Sequence, residues 1–167
     1  TRLKDINPKI KINVINNFYT KKLNDFLLEL KPDFIADAID TTRPKISLLN
    51  WAYKNNLPTI SSFGAGNRID PTKFYICDIS EIKDKSSPFI SGMIYQLKKK
   101  GIVDGISVVA SSEKPVTQEK ITSVEKVHTR EGEEIEFTKV IPSSTPFVAS
   151  TAGVFMASFI IQKLIKF

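Results

Sequence analysis

Cysteine and histidine are almost missing from this 167-residue chain, which carries one of each, Cys77 and His128. A single cysteine excludes an internal disulfide and a cysteine-built zinc site, and a single histidine excludes a histidine-rich metal cluster. Cys77 falls inside a strand pattern and reads as a buried thiol rather than a nucleophile. His128 falls in an apparent hairpin and reads as a structural or surface residue. No repeat or low-complexity tract is present, and the N-terminus has no signal-peptide pattern. Only residues 148–161 form a long apolar run. Gln162 and Lys163 interrupt it short of the roughly 20 residues a membrane span needs, so it reads as a core or dimer helix ahead of a membrane contact. Ala152, Gly153 and Ala157 within it permit close packing. Acidic residues are fewer than basic ones, 18 against 24, for a net charge of +6 and a pI near 9.3. That balance favours an acidic partner such as nucleic acid or nucleotide.

What is present is enough for one globular domain or a large piece of one. Hydrophobic residues make up 41% of the chain, and the length fits a single core. The chain starts with Thr1 inside an apparently ongoing helix, which suggests a fragment or a processed product. Asn7-Pro8 stops that helix. Residues 9–16 alternate lysine or asparagine with Ile10, Ile12 and Val14, predicting a half-buried strand. Leu23, Phe26, Leu27 and Leu30 recur at helical spacing over residues 21–30. Residues 34–39 form a short apolar strand. Pro44, at an expected first helical position, opens a helix over 45–55, and 57–61 is a further strand. The order β-α-β-α-β is that of parallel crossover units. Residues 1–80 thus read as a parallel α/β portion. Residues 81–167 read as irregular strands (73–79 leading into them, then 106–111), a helix over 89–100 closed by Gly101, a hairpin over 124–138 and a last helix over 149–166.

The segment 33–45 concentrates the chemistry. An apolar strand ends in Asp40, Thr41 and Thr42 follow, and Arg43-Pro44-Lys45 opens a helix. In open α/β sheets ligands bind outside the C-terminal ends of the strands, so Asp40 stands where a carboxylate meets a metal ion or a phosphate. Its bland alternative is a helix N-terminal carboxylate that suits the dipole. Arg43 opposes that dipole, which favours a ligand role, whereas Lys45 reads as a surface residue. Gly64-Ala65-Gly66 lacks the third glycine of a dinucleotide loop and reads as a bend that lets backbones pass closely. Lys98, Lys99 and Lys100 read as a solvated helix end or as contacts for phosphates.

Ala36-Asp37-Ala38-Ile39-Asp40-Thr41-Thr42-Arg43-Pro44-Lys45 and Gly64-Ala65-Gly66-Asn67-Arg68-Ile69-Asp70-Pro71-Thr72 resemble segments of the ThiF/MoeB-type ATP-dependent activating enzymes, most closely the branch of tRNA threonylcarbamoyladenosine dehydratases. Leu3-Lys4-Asp5-Ile6-Asn7-Pro8, Ser111-Ser112-Glu113-Lys114-Pro115 and Pro146-Phe147-Val148-Ala149-Ser150-Thr151-Ala152-Gly153-Val154 agree with it too. The resemblance implies a Rossmann-like ThiF-type α/β fold, truncated at its N-terminus. It implies ATP and Mg2+ as cofactors, with Asp40 serving both and Thr41 and Arg43 in the same turn. It implies tRNA as the partner, with Arg68, Lys98, Lys99 and Lys100 as contacts to its phosphates, a homodimer and a cytoplasmic location.

Departures from the pattern matter as much. The family's opening strand and Gly-x-Gly-Gly-Val-Gly-Ser phosphate loop, with its ribose-binding acid and neighbouring arginine and lysine, are not among these residues. Relatives commonly carry a cysteine before Pro88; here Ser86-Ser87 stands there, with no thiolate for thioester chemistry. A second reading in the same superfamily is an adenylyltransferase for a small sulfur-carrier protein, or a partner of a cysteine-desulfurase system. The missing Cys-x-x-Cys pairs disfavour it. A third is a non-catalytic interaction domain that dimerises or binds RNA.

Overall fold

The computed structural model describes residues 2–83, 85, 87–116, 122–128, 134–140 and 143–165. Its helices are α1 (Arg2–Ile6), α2 (Asn24–Glu29), α3 (Thr42–Lys54), α4 (Pro88–Lys98) and α5 (Pro146–Leu164). Its strands are β1 (Ile35–Asp37), β2 (Thr59–Phe63), β3 (Phe74–Asp78), β4 (Ser107–Ser111), β5 (Thr122–His128) and β6 (Glu134–Val140). Four strands form one sheet in the order β1-β2-β4-β3, and β5 and β6 form a separate antiparallel hairpin. β1, β2 and β4 are parallel, and β3 alone runs against β4.

The sheet does not divide at residue 80. β4, from the second half of the chain, is parallel to β2, while β3, from the first half, is antiparallel. The expected strand over residues 9–16 does not form. Ile10 and Val14 remain exposed, and with no strand to pair with and no face to bury, the alternating pattern has nothing to satisfy it. The helix over residues 21–30 forms as a 3-10 turn followed by α2, but Phe26, Leu28 and Leu30 stay exposed. After β3 the chain makes a 3-10 turn over Ile79–Glu81, closed by a capping box between Asp78 and Glu81. Glu131-Gly132-Glu133, Ser86 and the last two residues lie outside the described residues.

Strand alternation sorts the core into two faces. Phe63, Val108 and Ala110 turn to one side, against Ile46 and Leu49 of α3 and Ile90, Met93 and Leu97 of α4. Ile60, Phe74 and Val109 turn to the other, against Val148, Ala152 and Met156 of α5. The expectation of a core helix therefore holds for one face of α5. The other face leaves Phe147, Val154, Ile161 and Leu164 exposed, and a Cβ at Gly153 would meet nothing within 4 Å. By length and composition alone α5 is also apolar enough to cross a membrane.

Two helices stop in the same way. Ile102 N–H donates to the Leu97 carbonyl at 3.0 Å and Gly101 N–H to the Lys98 carbonyl at 2.9 Å, with Gly101 at φ 81°. That is a Schellman stop, in which a left-handed residue turns the last carbonyls inward. α3 repeats it with Asn56 at φ 52°, through Leu57 N–H to the Ala52 carbonyl and Asn56 N–H to the Tyr53 carbonyl. Both stops turn the chain back into the sheet, so the C-terminal ends of α3 and α4 lie at the edge where the parallel strands begin. The turn that follows β1 lies at the opposite edge.

Candidate functional site

β1 ends at Asp37, and the turn 38–41 carries the chain to α3 at the edge where the parallel strands end. Asp40 lies in this turn and is exposed. Thr41 Oγ1 donates to Asp40 Oδ1 at 3.3 Å. Thr41 occupies the N-cap position of α3 yet makes no side-chain cap bond, so its hydroxyl serves the carboxylate rather than the helix. Arg43 is exposed in the first turn of α3. Asp40, Thr41 and Arg43 therefore share one surface turn, as expected. Pro44 sits at the third helical position rather than the first, because α3 begins at Thr42.

Beneath this turn lies a buried ion pair that the sequence did not announce. Lys45, expected at the surface, is fully buried, and so is Asp37. Lys45 Nζ stands 2.7 Å from Asp37 Oδ2 and donates to the Ile39 carbonyl at 3.1 Å. Ser61 Oγ donates to the same carboxylate oxygen at 2.6 Å, and Ile39 N–H donates to Asp37 Oδ1 at 3.0 Å. The β1–β2 register puts Asp37 beside Ser61, so three elements converge on one carboxylate. Burial pushes the Lys45 amine below the ordinary lysine range, and the Asp37 charge pulls it back. A usable signal was in the sequence. Lys45, Leu49 and Ala52 stand at i, i+4 and i+7, which puts the lysine on the stripe α3 buries.

The loop after β2 borders the same edge. Gly64 takes φ 89°, and a Cβ there would touch Ile90 at 3.4 Å, so its reading as a bend fits. Arg68 does not face solvent: it is 2% exposed, and its guanidinium donates to the carbonyls of Gly64 and Glu113. Those bonds tie the loop to the end of β4, which is a structural use of the charge. The Glu113 carboxylate returns the tie by accepting from Ile69 N–H and Asp70 N–H, each at 3.1 Å. Asp70 accepts from both the backbone and the hydroxyl of Thr72, and these bonds, the hydroxyl's first, hold its carboxyl below the usual range.

Lys98, Lys99 and Lys100 are exposed, but they stand at the other edge of the sheet. Lys98 borders a groove of about 150 Å³ with Ile79, Ile94, Ile102 and Val103, where β3 ends and β4 begins. A five-residue strand spans roughly 17 Å, so these lysines and Asp40 do not form one rim. A second, apolar groove of about 270 Å³ lies along β1 and α3, lined among others by Tyr19, Leu27, Leu30, Phe34 and Trp51. No cluster of three or more metal-ligating side chains occurs among the described residues. Asp40 alone fits magnesium in one way only, with phosphate oxygens and water completing the shell.

No protein-family model matches the chain. It is 35% identical over 165 residues to the tRNA threonylcarbamoyladenosine dehydratase of Bacillus subtilis, a match covering 99% of this chain and 63% of that protein. It is 37% identical over 115 residues to tRNA threonylcarbamoyladenosine dehydratase 2 of Saccharomyces cerevisiae, covering 68% of this chain and 25% of that protein. The fold matches the crystal structure of the Escherichia coli tRNA N6-threonylcarbamoyladenosine dehydratase in complex with AMP, at a TM-score of 0.77 and 24% identity over 99% of this chain and 61% of that one. The complex of the same enzyme with ATP gives 0.73. The chain thus spans less than two thirds of the length of these relatives. Over 99% of its length in sequence, and in fold, this chain is similar to the tRNA threonylcarbamoyladenosine dehydratases.

Proposed function

We propose that the protein carrying this chain uses ATP to cyclise threonylcarbamoyladenosine at position 37 of tRNA. The observation that carries this reading is the 35% identity to a dehydratase of that name along 99% of the chain. The exposed Asp40 at the sheet edge, with Thr41 bonded to it, supports it further. A carboxylate is a poor electrophile, so it has to be activated first. One of its oxygens attacks the α-phosphorus of ATP, and pyrophosphate leaves. An atom of the neighbouring ureido group then closes on the acyl carbon, its proton is lost, and AMP departs. The product has lost the elements of one water molecule.

In this reading Asp40 meets the magnesium ion carried by the nucleotide. That ion would offset phosphate charge as pyrophosphate departs. Arg43, exposed one helical turn away, faces the same phosphates. The exposed lysines at the end of α4 lie on a second, distant surface, suited to a part of the tRNA remote from the modified base. A homodimer and a cytoplasmic setting complete the reading, and the uncovered apolar face of α5 supports the former.

The test is ATP-dependent turnover of tRNA bearing threonylcarbamoyladenosine by the whole protein that carries this chain, read as cyclic product and released pyrophosphate. Asp40→Ala should abolish both while leaving the melting temperature close to that of the parent, because the side chain is exposed. Cyclisation that proceeds without ATP, or adenylation of a carrier-protein tail in place of tRNA, would replace this reading.

A further inference from the structure

We infer that Asp37 and Lys45 are positioning residues that fix the direction of Asp40 through the two peptide units flanking Ile39. The inference rests on the reading of Asp40 as the carboxylate that meets the magnesium nucleotide. Ile39 is the residue immediately before Asp40, and the buried pair grips it from both sides. Its N–H donates to Asp37 Oδ1 at 3.0 Å, and its carbonyl accepts from Lys45 Nζ at 3.1 Å. A peptide unit is planar and stiff. The Ile39 N–H lies in the unit shared with Ala38 and the Ile39 carbonyl in the unit shared with Asp40, so the two bonds restrain the planes on both sides of the Ile39 Cα, and the second of these planes is the one that enters Asp40.

The grip is anchored on both sides. Asp37 belongs to β1 and is also held by Ser61 of β2, while Lys45 belongs to α3 and sits over the Phe63 ring. The Asp37 carboxylate accepts three hydrogen bonds, from Ser61, Ile39 and Lys45, so no other group is needed to satisfy it. Stability is a weak reason to keep such a pair. Taking two charges out of water costs about what their attraction returns, and a well-packed apolar replacement of similar volume is often neutral or stabilising. What an apolar pair cannot do is bond both the N–H and the carbonyl of Ile39. The geometry of the turn, rather than the strength of the fold, is what the charges secure.

The experiment compares four forms of the whole protein that carries this chain: the parent, Asp37→Asn/Lys45→Met, Asp40→Ala, and the three changes together. Each is titrated calorimetrically with magnesium ATP, assayed for turnover and melted. The expected double variant melts close to the parent, binds magnesium ATP about 10-fold more weakly and turns over about 100-fold more slowly, the scale of loss that a small misplacement of a reacting group brings. The triple variant should be no worse than Asp40→Ala alone, because groups that act through one another are not additive. A merely structural pair would instead give losses that add.

A double variant that is folded and binds and turns over like the parent overturns the inference, and so do additive losses in the triple variant. Asp40→Ala with parental magnesium ATP binding overturns the reading of Asp40 and the inference with it. A strong Asp40→Ala effect beside a silent double variant overturns the inference alone. If the double variant fails to fold, Lys45→Arg carries the test. It keeps the charge but replaces the point-like ammonium with a planar fork, so the same losses are expected, and a folded Lys45→Arg protein with parental binding and turnover overturns the inference.

Discussion

Asn67 and Ser143 hold each other by reciprocal hydrogen bonds. Asn67 N–H donates to the Ser143 carbonyl at 2.7 Å, and Ser143 N–H donates to Asn67 Oδ1 at 2.8 Å. The loop after β2 is thereby joined to the segment that leads into α5, and the carbonyl of Asn67 also accepts from Val116 N–H. Asn67 takes φ 58°, a left-handed conformation that asparagine tolerates better than most residues. Asn67→Ala should therefore cost about 1–3 kcal/mol, combining a lost hydrogen bond with backbone strain. Asn67→Gly, which relieves the strain, should cost only the bond, about 1 kcal/mol. Denaturant melts of both variants check this, and equal losses would show that the backbone is not strained there.

Asp70 should contribute to acid stability in one direction only. Its folded pKa lies below the usual carboxylate value because of the Thr72 hydroxyl and N–H. The unfolded chain then binds the proton first as pH falls, so the contribution is complete above the unfolded pKa and disappears as pH drops through the folded one. Thr72→Val keeps the shape and removes the hydroxyl, the larger cause. Carboxyl carbon shifts followed by NMR should show the Asp70 midpoint rising towards its ordinary value. An unmoved midpoint would assign the shift to the backbone bond instead.

The Lys98, Lys99 and Lys100 cluster should separate tRNA binding from nucleotide binding. In the whole protein, changing all three to glutamine should weaken tRNA binding and reduce its salt dependence by about one unit of slope per lost phosphate contact. The affinity for magnesium ATP should stay at the parental value, because these lysines are at the far edge of the sheet from Asp40. Unchanged tRNA affinity at every salt concentration would return them to a solvated helix end.

Cys77 should be a slow thiol. Burial, and after it the charges of Glu81 and Asp78, push its pKa above the ordinary thiol range, and the thiolate is the reactive form. Iodoacetamide should modify it more slowly than a free cysteine at neutral pH, with the rate still rising well into alkaline pH. Modification as fast as free cysteine would mean the strand opens readily.

Much of this fold was legible because local chemistry and long-range packing agree. The short apolar strand within 34–39, the helix opening near Pro44, the Gly101 stop and the hairpin all follow from period and turn residues. The surface turn of Asp40, Thr41 and Arg43 followed from an apolar run ending in polar residues. What was not legible depended on partners distant in sequence. The alternation of residues 9–16 looked like a strand, but alternation without a neighbouring strand forms no ladder. Arg68 looked like a surface cation, since nothing local shows that the carbonyl of Glu113 waits for it. Asp37 looked like one polar residue in an apolar strand until β2 brought Ser61 beside it and α3 brought Lys45 over it.

The reversed direction of β3 decides how the chain's polar residues are distributed. β2 ends, and β3 begins, at the same edge of the sheet, so the ten residues from Gly64 to Lys73 never have to travel to the other side. Had β3 run parallel to its neighbour, a crossover of a dozen or more residues would have been required, and it would have carried this stretch down one flank. Instead β4 rises to that edge and delivers Glu113 beside Ile69 and Asp70, and Ser143 arrives there before α5 descends. The shared direction of β1, β2 and β4 and the reversal of β3 together gather four separate stretches of sequence, around residues 40, 67, 113 and 143, along a single margin. A short deletion in the 64–73 loop would pull this whole margin out of alignment, whereas the same deletion near Asp104 would disturb only the opposite one.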